Sequence, residues 1–198
     1  MKKLLVVLAS LALVASLTAC AKAPTEEINA TKAAVDAAVA EGAQQYTPED
    51  YKMVADGLAA ANAEIKVQEE KFFKNFDKAS QILAKTKADA VALKGKVAAR
   101  KEELKKAAIA TMAQANTELV AAKELLAKAP KGKGSKAEIE AMTTDLAGVE
   151  AMIPEVEPLI AKGDFIGANE KANAILARIT AVKTEVQAAI DAKAGKKK

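Results

Sequence analysis

A cysteine, as its thiolate, is the strongest nucleophile a side chain offers near neutral pH, and this sequence of 198 residues has one, Cys20. It closes the run Leu17-Thr18-Ala19-Cys20. Ahead of it lie two basic residues, Lys2 and Lys3, and an uncharged apolar stretch from Leu4 to Ser16. A basic start, a short apolar region and small residues before a cut are the layout of a secretory signal. The layout predicts cleavage between Ala19 and Cys20, which leaves the thiol on the new first residue. The competing reading is a membrane-spanning helix with a chance cysteine. From Leu4 to Leu17 there are 14 residues, about 21 Å of helix against about 30 Å of hydrocarbon, and no stop-transfer cluster follows.

No other grouping nominates a catalyst. Histidine is absent, which removes imidazole acid–base chemistry and imidazole metal ligands. Lys131-Gly132-Lys133-Gly134 has neither the preceding strand nor the spacing of a phosphate-binding loop. Glu69-Glu70 and Glu102-Glu103 are adjacent on helices and point different ways. Ser80, Ser135 and the threonines have no base partner. The expectation is a protein that is not an enzyme, with no cofactor, no catalytic residue and no metal site.

The Leu17-Thr18-Ala19-Cys20 segment resembles the lipobox of bacterial lipoproteins. That resemblance implies removal of the signal peptide and transfer of two or three fatty chains to Cys20. One chain binds a bilayer only marginally, whereas two or more hold firmly. Ala21 occupies the position where inner-membrane retention in enteric bacteria uses Asp, so the expected location is the outer membrane, facing the periplasm. Two further groups could meet a partner. Phe72, Phe73 and Phe76 cluster at one predicted turn; the ordinary use of such aromatics is as a turn core, and the other use is a socket for an envelope protein. Lys196, Lys197 and Lys198 are either a solvated tail or a contact with the anionic cell wall. By similarity to the small braun-type lipoprotein, a C-terminal lysine such as Lys198 could be joined to peptidoglycan, although this chain is much longer.

What positions these groups is helix. There are 48 alanines, four Phe, two Tyr and no Trp, a composition that favours helix and excludes a thick aromatic core. No alternating pattern bounded by turn residues predicts a strand. The formal charge of +4 falls by the two lysines Lys2 and Lys3 to +2 in the mature chain, which carries no nucleic-acid footprint.

The first helix is predicted over Glu26–Gln44 with Thr25 as N-cap, burying Ile28, Val35, Ala38 and Val39, and with Gly42 weakening its last turn. Thr47, Pro48 and Asp50 predict a restart with cap, first-turn proline and capping-box acid. Tyr51, Val54, Leu58, Ala61, Ile65, Gln68 and Phe72 follow heptad spacing and predict one inward stripe. Asn75 is expected in a left-handed turn conformation, followed by a third helix over Phe76–Lys128, about 80 Å long. Its inward set is Phe76, Ala79, Leu83, Thr86, Ala90, Leu93, Val97, Lys101, Leu104, Ala108, Met112, Ala115, Leu119, Ala122 and Leu126. The phase slips between Leu104 and Met112, a stutter that relaxes supercoiling, and Arg100 and Lys101 mark that place as poorly packed. Ala129 to Gly134 reads as an exposed, mobile turn, with Ser135 and Glu138 a capping box. The fourth helix buries Ile139, Met142, Leu146, Val149, Ile153, Val156 and Ile160, and kinks after Met152 at Pro154 and Pro158. Gly163 predicts a left-handed stop and Asp164 the cap of a last helix lined by Phe165, Ala168, Ala172, Ile175, Ile179, Val182, Val186 and Ala189.

The hairpin repeats. Shifted by 88, Leu58, Ala63, Ile65 and Glu69 align with Leu146, Ala151, Ile153 and Glu157; after one inserted residue, Phe76, Ala79, Ala88 and Val97 align with Phe165, Ala168, Ala177 and Val186. The expected fold is all-α: an elongated, antiparallel, coiled-coil-like bundle of two three-helix modules sharing one long central helix. The expected divisions are a signal peptide (1–19), a leash (20–24), an N-terminal module (25–103), a C-terminal module (104–194) and a lysine tail (195–198). The rival is a compact bundle with the third helix broken at the stutter. The stripes are narrow and alanine-rich, so they suit helix packing better than a membrane surface.

Over about residues 20–95 the chain resembles a family of small alanine-rich helical bacterial lipoproteins, known only as a domain of unknown function. The features that carry this are Cys20, Pro24, the alanine-spaced run Ala33-Ala34-Val35 to Ala40, and Tyr46-Thr47-Pro48-Glu49, with Thr47 where the family pattern has Ala. The resemblance implies a helical envelope protein and carries over no catalytic or ligand residues. The functional expectation is a lipid-anchored spacer or tether between the outer membrane and other envelope components. The alternative is a periplasmic adaptor that binds a protein along a helical groove or at the Phe72–Phe76 tip.

Overall fold

The computed structural model describes residues 22–129 and 136–195. Among them the regular structure is helical: α1 (Thr25–Ala40), a single turn α2 (Ala43–Tyr46), α3 (Pro48–Glu69), α4 (Asp77–Ala127), α5 (Lys136–Met152), α6 (Val156–Ala161) and α7 (Phe165–Gly195), with a 3₁₀ turn at Ile153–Glu155. The chain is an all-α bundle organised around α4. Packing divides it into two units, Met1–Arg100 and Lys101–Lys198, against the Glu103–Leu104 boundary read from the sequence.

In the first unit α1 and α3 pack on the N-terminal half of α4. Val35, Ala38, Ala43, Val54, Ala90, Leu93 and Val97 form one buried cluster; Ala61, Ile65, Phe76, Ala79 and Leu83 form the next. Alanines with no exposed surface (Ala38, Ala61, Ala79, Ala90) sit where helices cross, and small side chains there allow the shorter interaxial distances. The buried Thr31 hydroxyl donates to the Leu83 carbonyl at 3.2 Å, tying α1 to α4. In the second unit the C-terminal half of α4 packs with α5, α6 and α7 around Ala108, Ala115, Leu119, Leu146, Val149, Ile175, Ile179 and Val186. Each large apolar side chain fully removed from water contributes roughly 1.5–3 kcal/mol, against about 0–1 kcal/mol for each exposed ion pair.

The inward positions expected on α4 are buried or half-buried throughout, and the helix runs unbroken across Leu104–Met112. The break in the third helix that the rival reading requires does not occur. Heptad burial also repeats between units. Ala79, Leu83, Thr86, Ala90, Leu93 and Val97 on α4, and Ala168, Ala172, Ile175, Ile179, Val182 and Val186 on α7, are all buried.

Several local expectations change. Thr25 is the first helical residue rather than the cap; Pro24 holds that position, and the Thr25 hydroxyl donates to the Ala23 carbonyl at 3.3 Å. α1 ends at Ala40, not Gln44, because Gly42 adopts φ 92° and turns the chain. Thr47 precedes Pro48 as expected, but no side-chain cap forms. Its hydroxyl donates instead to the Ala43 carbonyl at 3.1 Å, and Asp50 pairs with Lys96 on α4. The inter-helix ion pair takes the acid that the capping box would use. The Ser135–Glu138 box and residues 130–134 of the turn involve residues outside those described; Ala129, expected to be exposed with them, is instead buried in the second-unit cluster. Pro154 and Pro158 act as expected: α5 stops at Met152 and a 3₁₀ turn follows.

Candidate functional site

The two hairpin turns, which the 88-residue shift aligns, close differently. In the second unit α6 continues to Ala161 and Gly163 takes φ 79°. The Asp164 amide donates to the Leu159 carbonyl and the Gly163 amide to the Ile160 carbonyl, both at 3.0 Å, the paired bonds of a Schellman stop. Asp164 Oδ1 then accepts from the Gly167 amide at 2.9 Å and caps α7. Ile160, the counterpart of Phe72, stays helical and packs against the core.

In the first unit the position corresponding to Gly163 is Asn75, and no residue other than glycine has positive φ among those described. The left-handed conformation expected for Asn75 does not occur. Without it α3 ends at Glu69, and the segment to Phe76 is held by side chains. The Gln68 carboxamide, only 8% exposed, donates to Glu64 Oε1 at 2.8 Å and accepts from the Asn75 amide at 3.3 Å. Asn75 Oδ1 accepts from the Asp77 amide at 2.8 Å, and the Lys78 ammonium meets Glu64 Oε2 at 2.7 Å. The Lys78 ammonium and then the Gln68 amide hold the Glu64 carboxyl below its ordinary value, outweighing the opposite effect of desolvation.

This early exit decides the aromatics. Phe76 is 7% exposed and packs with Ala61, Ile65, Ala79 and Leu83. Phe72 and Phe73 are 87% and 69% exposed. Their rings touch edge to face, with centroids 4.9 Å apart and planes at 86°. The inward position expected for Phe72 and the turn core expected of all three are both corrected: the last turn of α3 that would have carried Phe72 inward is absent, and one phenylalanine fills the turn. Lys71 and Lys74, both exposed, bracket the outward pair.

The start of the described chain lies against the same turn. Ala23 and Ile28 pack on the Phe76 cluster, and an open cleft of about 590 Å³ is lined by Lys22, Ala23, Pro24 and residues of the first turn of α1 together with Glu69, Lys74 and Phe76. The phenylalanine cluster, the inward Gln68 and the turn position of Asn75 are legible in the sequence, whereas the hydrogen bonds of Gln68 and Asn75 that hold the turn and the approach of Lys22 are not. The available signal was Gln68, a polar residue on an otherwise apolar stripe.

Ala19 and Cys20, and Lys196, Lys197 and Lys198, fall outside the described residues. Among the described residues no group of three or more His, Cys, Asp and Glu side chains is placed to hold a metal, and no helix is long and apolar enough to cross a membrane. Compared with family models, curated proteins and solved structures, the chain has no match in any of the three.

Proposed function

We propose that the chain is a non-enzymatic envelope lipoprotein, anchored through lipid on Cys20 in the outer membrane and facing the periplasm, where its helical units act as a spacer or tether. The observation that carries this reading is the junction Leu17-Thr18-Ala19-Cys20, with α1 beginning five residues later at Thr25. A signal-type segment gives way almost at once to packed helix. The similarity of Cys20, Pro24, the alanine-spaced helix and Tyr46-Thr47-Pro48 to the small helical lipoproteins supports the same assignment.

Intact-mass measurement of protein extracted from bacterial membranes tests the anchor. The expected mass is that of residues 20–198 plus diacylglyceryl and N-acyl groups, and Cys20→Ser is expected to retain its leader. An unmodified thiol ends this reading. Muropeptide analysis of the purified wall then tests the far end: a peptide carrying Lys198 joined to the wall supports a tether. The adaptor reading is favoured by one observation, the outward Phe72–Phe73 pair; it expects no wall-linked peptide and a stoichiometric protein partner on crosslinking.

A further inference from the structure

Two bulky aromatic rings face water side by side at the first unit's turn, and the path of the chain says which surface lies near them. Ala23 is packed on the cluster that contains Phe76, and Lys22 shares a cleft with Lys74 beside the turn. Cys20 is two residues before Lys22, and two residues reach at most about 7 Å. A lipid on Cys20 therefore brings the bilayer surface to the turn that carries Phe72 and Phe73. We propose that this pair, bracketed by Lys71 and Lys74, enters the headgroup–acyl boundary of the membrane that holds the Cys20 lipid, forming a second contact that orients the first unit. The proposal rests on the anchored-lipoprotein reading.

The chemistry suits that boundary. Phenylalanine rings on an apolar face bury into the headgroup–acyl boundary, and lysine stems extend their ammonium groups back to phosphates and water. The pair is displayed by a turn fixed through Gln68 and Asn75, so little ordering is needed on insertion. In the second unit the corresponding turn keeps Ile160 packed against its own core. The outward display belongs to the turn beside the chain entry.

The chain has no tryptophan and one cysteine, which makes the test direct. Phe72→Trp places a single emitter at the tip. Residues 20–198 are coupled through Cys20 to a maleimide bearing one acyl chain and mounted on phosphatidylethanolamine–phosphatidylglycerol vesicles, whatever processing occurs in cells. The expected result for the Phe72→Trp chain is a blue shift of its indole emission and severalfold quenching by doxyl-labelled lipid. Val91→Trp, also exposed and 14 residues beyond the start of α4, is expected to emit as in water. Phe72→Ser/Phe73→Ser, with unchanged circular dichroism because neither ring is in the core, is expected to leave these singly acylated vesicles severalfold more readily. Indole emission from Phe72→Trp that stays at its buffer position, with equal retention of the double variant, overturns the proposal and leaves the pair to a protein partner. An unacylated Cys20 in the host defeats the anchor reading by a separate measurement and this proposal with it, whereas failure on the vesicles with an acylated Cys20 in the host defeats this proposal alone.

Discussion

Gln68 shows how one residue can set the use of its neighbours. It occupies a stripe position where an apolar side chain would let α3 continue, but its carboxamide binds both Glu64 and the Asn75 amide. Buried polar groups must be paired, and leaving one unpaired costs about 1–3 kcal/mol, so this network fixes the exit of the chain. Glu64 carries a pH signature. Its folded-state carboxyl titrates below the ordinary 4.5, chiefly because of Lys78. The unfolded chain then takes up the proton first as the pH falls. The stabilising contribution is complete above the ordinary carboxylate range and is lost as pH drops through the lowered folded value. A carboxyl carbon NMR titration should place the Glu64 midpoint below 4.5, and Lys78→Ala should move it back upward. A midpoint unmoved by Lys78→Ala would remove Lys78 as the cause.

Two glycines inside helices show how packing reverses a propensity. Glycine in a helix interior costs about 1 kcal/mol relative to alanine. At Gly95 of α4 an added Cβ meets nothing within 4 Å, so Gly95→Ala should stabilise by about 0.5–1 kcal/mol. At Gly57 of α3 the same atom would lie 2.5 Å from Thr86 Oγ1 and 3.3 Å from its Cγ2 on α4. Thr86 is buried, and a β-branched side chain has little rotamer freedom with which to yield. Gly57→Ala should therefore destabilise by about 1–3 kcal/mol, and Thr86→Ala in the same chain should recover much of the loss. Urea midpoints for the two single variants should move in opposite directions; a midpoint raised by Gly57→Ala would mean that α3 and α4 do not approach closely at Thr86.

At the scale of the molecule, the cores belong to separate units. The clusters of the first unit end at Val97 and that of the second begins at Ala108. Ile179 has no exposed surface, and Ile179→Ala should cost roughly 2–5 kcal/mol through lost burial and the cavity left behind. Hydrogen exchange should accelerate over residues 101–195 and leave 25–97 near its original rate. Uniform acceleration would show that the shared helix joins the two units into one cooperative block. Surface ion pairs such as Lys123–Glu150 at 2.6 Å and Lys183–Glu118 at 2.7 Å are too exposed to set this balance, each contributing about 0–1 kcal/mol.

Much of this architecture is written in spacing. The heptad positions from Ala79 to Leu126 give the inward face of α4, Pro154 and Pro158 give the break after α5, and Gly163 with Asp164 gives the second turn. These are periodic or stereochemical signals that act within a few residues, and a chain so rich in alanine offers few competing structures. Tertiary structure decided the first turn, the partner of Asp50, and which of three phenylalanines is buried. Each depends on what lies opposite: Lys96 for Asp50, the α1–α3–α4 cluster for Phe76, and water for Phe72 and Phe73. Heptad spacing can mark a position as inward-facing, but only the packed neighbour determines whether the helix lasts long enough to deliver it.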